Sequence, residues 1–112
     1  MRLKYRPAAI ADIQCTAEYI EKVLKNRSAA QRLKAQILQG ASLLKENPQM
    51  GTPLSSKYEG LDTSLRFIVI SKQLVFYEIC NDVVEIIRVL DGRTDYLSCL
   101  FDYQTENTME RI

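Results

Sequence analysis

The chain has 112 residues, 46% of them hydrophobic and 26% charged, and a formal net charge of +1. That length fits one compact domain, and that composition excludes a disordered chain, which would be poorer in large apolar residues. No apolar run approaches the roughly 18 residues needed to cross a bilayer, and the near-neutral balance gives no general pull towards nucleic acid or a membrane.

The opening Met1-Arg2-Leu3-Lys4-Tyr5-Arg6 lacks the apolar core of a signal peptide, so a cytoplasmic location is expected. Within this opening, Leu3-Lys4-Tyr5 reads as a short strand, halted by Pro7, which suits the first position of a helix because its missing N–H would be unpaired there anyway. From Ala8 to Lys25 the residues Ile10, Ile13, Ala17, Ile20 and Leu24 recur at three- and four-residue steps and predict an amphipathic helix. Asn26-Arg27 breaks the pattern, and Ser28 with Gln31 has the form of a capping box. A second helix is expected from Ser28 to Glu46 with the stripe Ala30, Leu33, Ile37, Ala41 and Leu44, stopped by Asn47-Pro48. So short a connection implies an antiparallel helical hairpin.

Gln49 to Ser64, with Lys57-Tyr58-Glu59-Gly60 at its middle, reads as a loop. The runs LRFIVI, LVFYEI and VVEIIRVL, dense in β-branched and aromatic residues, predict a three-stranded antiparallel meander. If Asn81-Asp82 is the turn between the last two, Glu78 faces Glu85, and something must relieve that repulsion. Thr94 is expected to cap a short tail helix carrying Tyr96, Leu97, Leu100 and Phe101, with Gly92 letting the backbone turn out of the strand. The fold class is therefore α+β: one domain over residues 1–103, followed by a polar tail from Gln104 to Ile112. One sheet face takes the hairpin. The tail helix is too short to cover the other, so an exposed apolar patch suited to a protein partner is expected there. Cys15, Cys80 and Cys99 lie in apolar-periodic segments and read as reduced core thiols. With no histidine and no close cysteine pair, neither a metal nor a cofactor is expected.

This order of elements, with LRFIVISKQLVFYEI and IIRVLDGRTDYLSCLF, resembles the RelE/ParE superfamily of bacterial type II toxins over nearly the whole chain. The most specific stretch is Arg88-Val89-Leu90, then Gly92-Arg93, Asp95-Tyr96, Leu97 and Leu100; Asp91 stands where the family frequently has histidine. The resemblance implies a growth-inhibiting toxin of an addiction or plasmid-stabilisation system, neutralised by a cognate antitoxin that lays a helix or extended segment on its surface. Arg88, Phe76, Leu100 and Phe101 are the expected partner-binding residues, and a homodimer stays open. ParE-like members are associated with inhibition of DNA gyrase. RelE-like members are mRNA endonucleases that act on the translating ribosome through Lys, Arg and Tyr side chains. Here the catalytic candidates under the RelE-like reading are Lys57, Arg66, Arg93 and Tyr96.

Each candidate also has a structural role open to it: Arg88 pairing with Glu78 or Glu85, Arg66 a solvated edge charge, Arg93 pairing with Asp95, Tyr96 packing its ring on the core, and Lys57 an ordinary loop lysine. The long helices and the absence of a dense basic loop rank gyrase inhibition first. The mRNA endonuclease comes second, and an inactive relative that only binds its antitoxin third.

Overall fold

The computed structural model describes residues 1–101; the polar tail expected from Gln104 lies outside them. Strand β1 (Arg2–Tyr5) leads into helix α1 (Pro7–Glu18), which continues as a π-helical turn (Tyr19–Val23). Helix α2 (Arg27–Ser42) ends in a 3₁₀ turn (Leu43–Lys45). Then come β2 (Thr52–Pro53), the one-turn helix α3 (Leu54–Lys57), and the strands β3 (Arg66–Ile70), β4 (Gln73–Cys80) and β5 (Val83–Asp91). A final helix, α4, occupies residues 96–101. The sheet order is β1-β5-β4-β3-β2, with β1 parallel to β5 and the other pairs antiparallel.

Pro7 takes the expected first position of α1, but the buried stripe is Ala9, Ile13 and Ala17, with Ile20 half-buried; Ile10 and Leu24 are exposed. Ile10 lies one helical step beyond Ala9, on the flank of the stripe. The π turn adds a residue to its turn and so carries Leu24 out of phase. The stripe of α2 is as expected: Ala30, Leu33, Ile37, Ala41 and Leu44 are all buried. Its cap is Asn26, whose Oδ1 accepts from the Ala29 N–H at 3.0 Å, instead of Ser28. The chain leaves helical geometry at Asn26 and re-enters it at Arg27, so Ser28 is already inside the helix.

The helical hairpin covers one sheet face, where Ile13, Leu33, Ile37 and Leu44 pack on Val75, Tyr77, Val84, Ile86 and Val89. The expected facing pair Glu78 and Glu85 is present in the register, and the Arg6 guanidinium relieves it at 3.3 Å from Glu85 and 4.0 Å from Glu78. Phe76 pairs with Arg88 and Tyr77 with Ile86, so Ile87 is a bulge in β5. Before it Val84 and Ile86 serve the hairpin core; after it Val89 serves that core and Leu90 the opposite face. Both Ser71 and Lys72 take positive φ (50° and 69°), the backbone of a tight turn between β3 and β4.

The opposite face differs from expectation. It carries a second core of Leu54, Leu65, Leu74, Phe76, Leu90 and Tyr96, edged by Tyr58, Leu61, Phe67, Ile87, Leu97, Leu100 and Phe101. The segment 49–64 is therefore half of the cover, alongside α4. Leu54 is fully buried, and its N–H donates to Leu65 O at 2.9 Å. Phe76 is fully buried too, so the open face expected around it is closed. Asp95 replaces Thr94 as the cap of α4, accepting from Ser98 N–H and, at 2.8 Å, from Ser98 Oγ. The Thr94 N–H instead closes a turn onto Asp91 O, leaving Asp95 as the last non-helical residue. Gly92 has no positive φ; a Cβ there would stand 2.9 Å from Leu74 Cδ1, so close approach explains this glycine. All three cysteines are free but exposed, at helix flanks and a strand end, which corrects their expected place in the core.

Candidate functional site

Lys57 ends α3 and Tyr96 opens α4, and the second core brings them together from 39 positions apart. Lys57 Nζ donates to Tyr96 Oη at 3.0 Å, and Tyr58 and Tyr96 share a short hydroxyl–hydroxyl hydrogen bond. The ammonium also sits 5.3 Å from the Phe67 ring centroid, 5.5 Å from that of Tyr96 and 5.7 Å from that of Tyr58, within cation–π range of each. Phe76 supports Tyr96 from beneath, ring centroids 5.3 Å apart.

The hydrogen bond to Tyr96 raises the pKa of Lys57, which stays a cation. Burial pushes the Tyr96 hydroxyl up, but the hydrogen bonds from Tyr58 and Lys57 outweigh it and set its pKa below the ordinary tyrosine value. Tyr58 moves the other way, raised by its bond to Tyr96. The two hydroxyls share a proton, and we assign the first ionisation to Tyr96 because it alone also receives the lysine bond. Such a cluster offers one fixed positive charge and one acidified hydroxyl. No group of carboxylates and cysteines able to hold a metal is present among the described residues.

The other candidates lie elsewhere. Arg66 pairs with Tyr77 across the strands, and its guanidinium donates to Gly51 O at 2.8 Å and Gln49 O at 3.3 Å. The Tyr77 hydroxyl holds the same loop, donating to Pro48 O at 2.7 Å and accepting from Gly51 N–H at 2.9 Å; a Cβ on Gly51 would strike that tyrosine. Arg66 is thus a fastener of the loop before β2, and neither a solvated charge nor a neighbour of Lys57. Arg93 is exposed and pairs with Asp91 at 3.1 Å, where Asp95 was the expected partner; Asp91 is two residues back in the same turn, while Asp95 is engaged in capping. That guanidinium lowers the pKa of Asp91 through its hydrogen bond. Arg66 thus holds loop carbonyls beside Tyr77 and Arg93 holds Asp91, while Tyr96 bonds to Lys57 and Tyr58.

Arg88 pairs with Asp12 of α1, not with Glu78 or Glu85: Nε meets Oδ2 at 2.7 Å and Nη2 meets Oδ1 at 2.9 Å. Asp12 Oδ2 also accepts from the Val89 N–H at 3.0 Å, satisfying the edge of β5 beyond the end of β1. This fork raises the Arg88 pKa and ties α1 to the sheet. Leu100 and Phe101 are half-buried against the second core. Sequence reasoning overlooked Tyr58, Phe67, Asp12 and Tyr77. Only Tyr58 carried a signal, as the neighbour of Lys57 in an otherwise polar loop.

A family model described as the ParE toxin of the type II toxin–antitoxin system parDE matches residues 3–96. A solved structure of a chromosomal ParDE toxin–antitoxin system from P. aeruginosa superposes with a TM-score of 0.67 at 17% identity, covering 81% of this chain and 95% of that one. That likeness agrees with the strand, helical hairpin, antiparallel sheet and short terminal helix described above. No curated protein sequence matches the chain.

Proposed function

The chain belongs to the ParE toxin family of type II toxin–antitoxin systems, and from that premise we propose that it arrests growth by inhibiting DNA gyrase until its antitoxin binds it. The observation that favours this target over RNA is the dispersal of the arginines. A site that cleaves a phosphodiester bond needs several fixed donors on the developing charge. Among the described residues Lys57 is the cation hydrogen-bonded to Tyr96, while Arg66 is bound to loop carbonyls and Arg93 to Asp91. An inhibitor that works by binding needs a rigid fold and a surface, and no such set.

A supercoiling assay tests this directly. Purified chain added to gyrase and relaxed plasmid is expected to suppress supercoiling, and antitoxin to restore it. Full supercoiling at saturating chain would sink the proposal. The contact of Lys57 with the acidified Tyr96 hydroxyl favours a second reading, a ribosome-dependent mRNA endonuclease. Primer extension on a defined message in a bacterial translation reaction separates the two: discrete cuts within the translated region support the second reading, and an intact message removes it. Antitoxin binding without either effect would point to an inactive relative.

A further inference from the structure

At the sheet edge far from β1, strand β2 stands beside β3 only at Arg66 and Phe67, so among the described residues no strand flanks Ile68 to Ile70 on that side. Gly40 of α2 lies tight over this end of β3, where a Cβ would collide with Ile70 Cδ1. Two grooves adjoin the contact. One, of about 570 Å³, runs between α2 and the end of β3, with Gly40, Ile70 and Ser71 in its wall. The other, of about 560 Å³, runs between the 3₁₀ turn and the loop 46–50. Leu43 lines both.

Leu43 and Met50 are 52% and 51% exposed. Apart from these and Ile70, the grooves are lined mainly by glutamine, asparagine and serine, and Glu46 is their one charged residue, in a chain that is 26% charged. Depletion of charge around exposed apolar side chains is the composition of an interface centre. The backbone beside Met50 is already fixed, because Arg66 donates to Gln49 O and Gly51 O, and Tyr77 to Pro48 O. Docking there orders little new chain, which keeps its entropic cost low. The hairpin tip differs: its exposed Tyr19, Val23 and Leu24 are interleaved with Glu21, Lys22 and Lys25.

We propose that this patch is a self-association surface, occupied by a second copy of the chain docked about a two-fold axis at Leu43. A surface almost without charge brings few like charges together when it meets itself, and a net charge of +1 sets up little long-range repulsion between copies. The amide and hydroxyl side chains of the lining both donate and accept, so each can bond its like. A two-fold axis at Leu43 sets the groove of the 46–50 loop against the other groove of the second copy. Glu46 is thereby carried towards Lys72, the residue after Ser71. Within its own chain Glu46 takes part in no ion pair among the described residues. A nucleic acid or an acidic protein segment would find no positive charge in either groove. The patch is smaller than the roughly 20–30 residues a side of a stable complex, so the dimer is weak, with a Kd on the order of 10 μM.

Sedimentation equilibrium of the full chain, over about two decades of concentration around that Kd, tests the proposal. The mass is expected to move from monomer to dimer. Leu43→Lys is expected to raise the dimer Kd about tenfold or more with an unchanged Tm, since Leu43 is already exposed. Glu46→Lys and Lys72→Glu should each weaken the dimer, and the two together should restore it. A chain that stays monomeric throughout overturns the proposal, as does a dimer that Leu43→Lys leaves intact. If both single charge reversals weaken the dimer and the double reversal does not restore it, the two-fold arrangement is overturned. If Leu43→Lys weakens binding of the antitoxin encoded beside the chain and leaves self-association unchanged, the patch belongs to that partner and the proposal falls.

Discussion

The two faces of the sheet are both closed, but by different means. One is covered by long helices whose buried residues repeat at helical spacing and whose core holds little but aliphatic side chains around Tyr77. The other is covered by α3, its flanking loop and α4, and its core of four leucines with Phe76 and Tyr96 ends at the surface in the Lys57–Tyr58–Tyr96 cluster. The first face is built for rigidity, because helices that bury whole stripes lose much on opening. The second is held by short elements, and its one polar cluster is where the surface chemistry gathers.

The largest expected effect compares the cores directly. Ile37→Ala, at a fully buried site on α2, should cost about 3–5 kcal/mol of unfolding free energy, whereas Leu54→Ala, equally buried but on the one-turn helix α3, which can settle into the space, should cost about 2–3. Denaturant unfolding of both variants checks the ranking, and equal losses would break the contrast. Next comes Asp12→Ala, which strands Arg88 and the Val89 N–H together and should cost about 2 kcal/mol, less than for a fully buried pair because Arg88 is 27% exposed.

Tyr96→Phe keeps the ring on Phe76 and removes two hydrogen bonds, so about 1 kcal/mol is expected. Its sharper readout is the alkaline titration. Because the Tyr96 pKa is depressed in the fold, its ionisation contributes stability above the unfolded value of about 10, and that contribution is lost as pH falls through the folded value. Tyrosinate absorbance should therefore begin at lower pH in the parent than in Tyr96→Phe, and an identical onset would deny the cluster its electrostatic character. The smallest effect belongs to Arg93→Ala. Asp91 has a depressed pKa, so its pair with Arg93 stabilises the fold above the carboxylate's unfolded pKa and weakens as pH falls through the folded one. Exposure of Arg93 to solvent makes this the smallest loss, read as a slight drop in Tm by thermal unfolding at neutral pH.

The same contrast explains what the sequence could reveal. The α2 stripe and the meander were legible because each obeys one period over many residues. In α1 the period slips by a residue at the π turn, which no local motif announces, and Leu24 was therefore misplaced. The second cover was illegible for a plainer reason: Leu54, Tyr58 and Leu61 stand at steps of four and three, but in a short polar segment broken by Pro53 and Gly60, and only the sheet beneath them makes them core. Lys57 and Tyr96 were each nameable as residue types with a use. Their meeting, and the diversion of Arg66 to the Gly51 carbonyl, depend on which face of the sheet each strand residue takes. The Arg88–Asp12 fork spans 76 positions, a distance at which sequence spacing carries no information.

The most direct measurement is growth arrest on expression of Lys57→Met/Tyr96→Phe beside the parent chain, with folding of the variant confirmed by its melting curve. If the chain acts by binding gyrase, the double variant should arrest growth as the parent does and suppress plasmid supercoiling at the same concentration. Loss of toxicity in a folded double variant, together with a parent that cuts translated message and leaves supercoiling untouched, would contradict it and make the Lys57–Tyr96 cluster the working site.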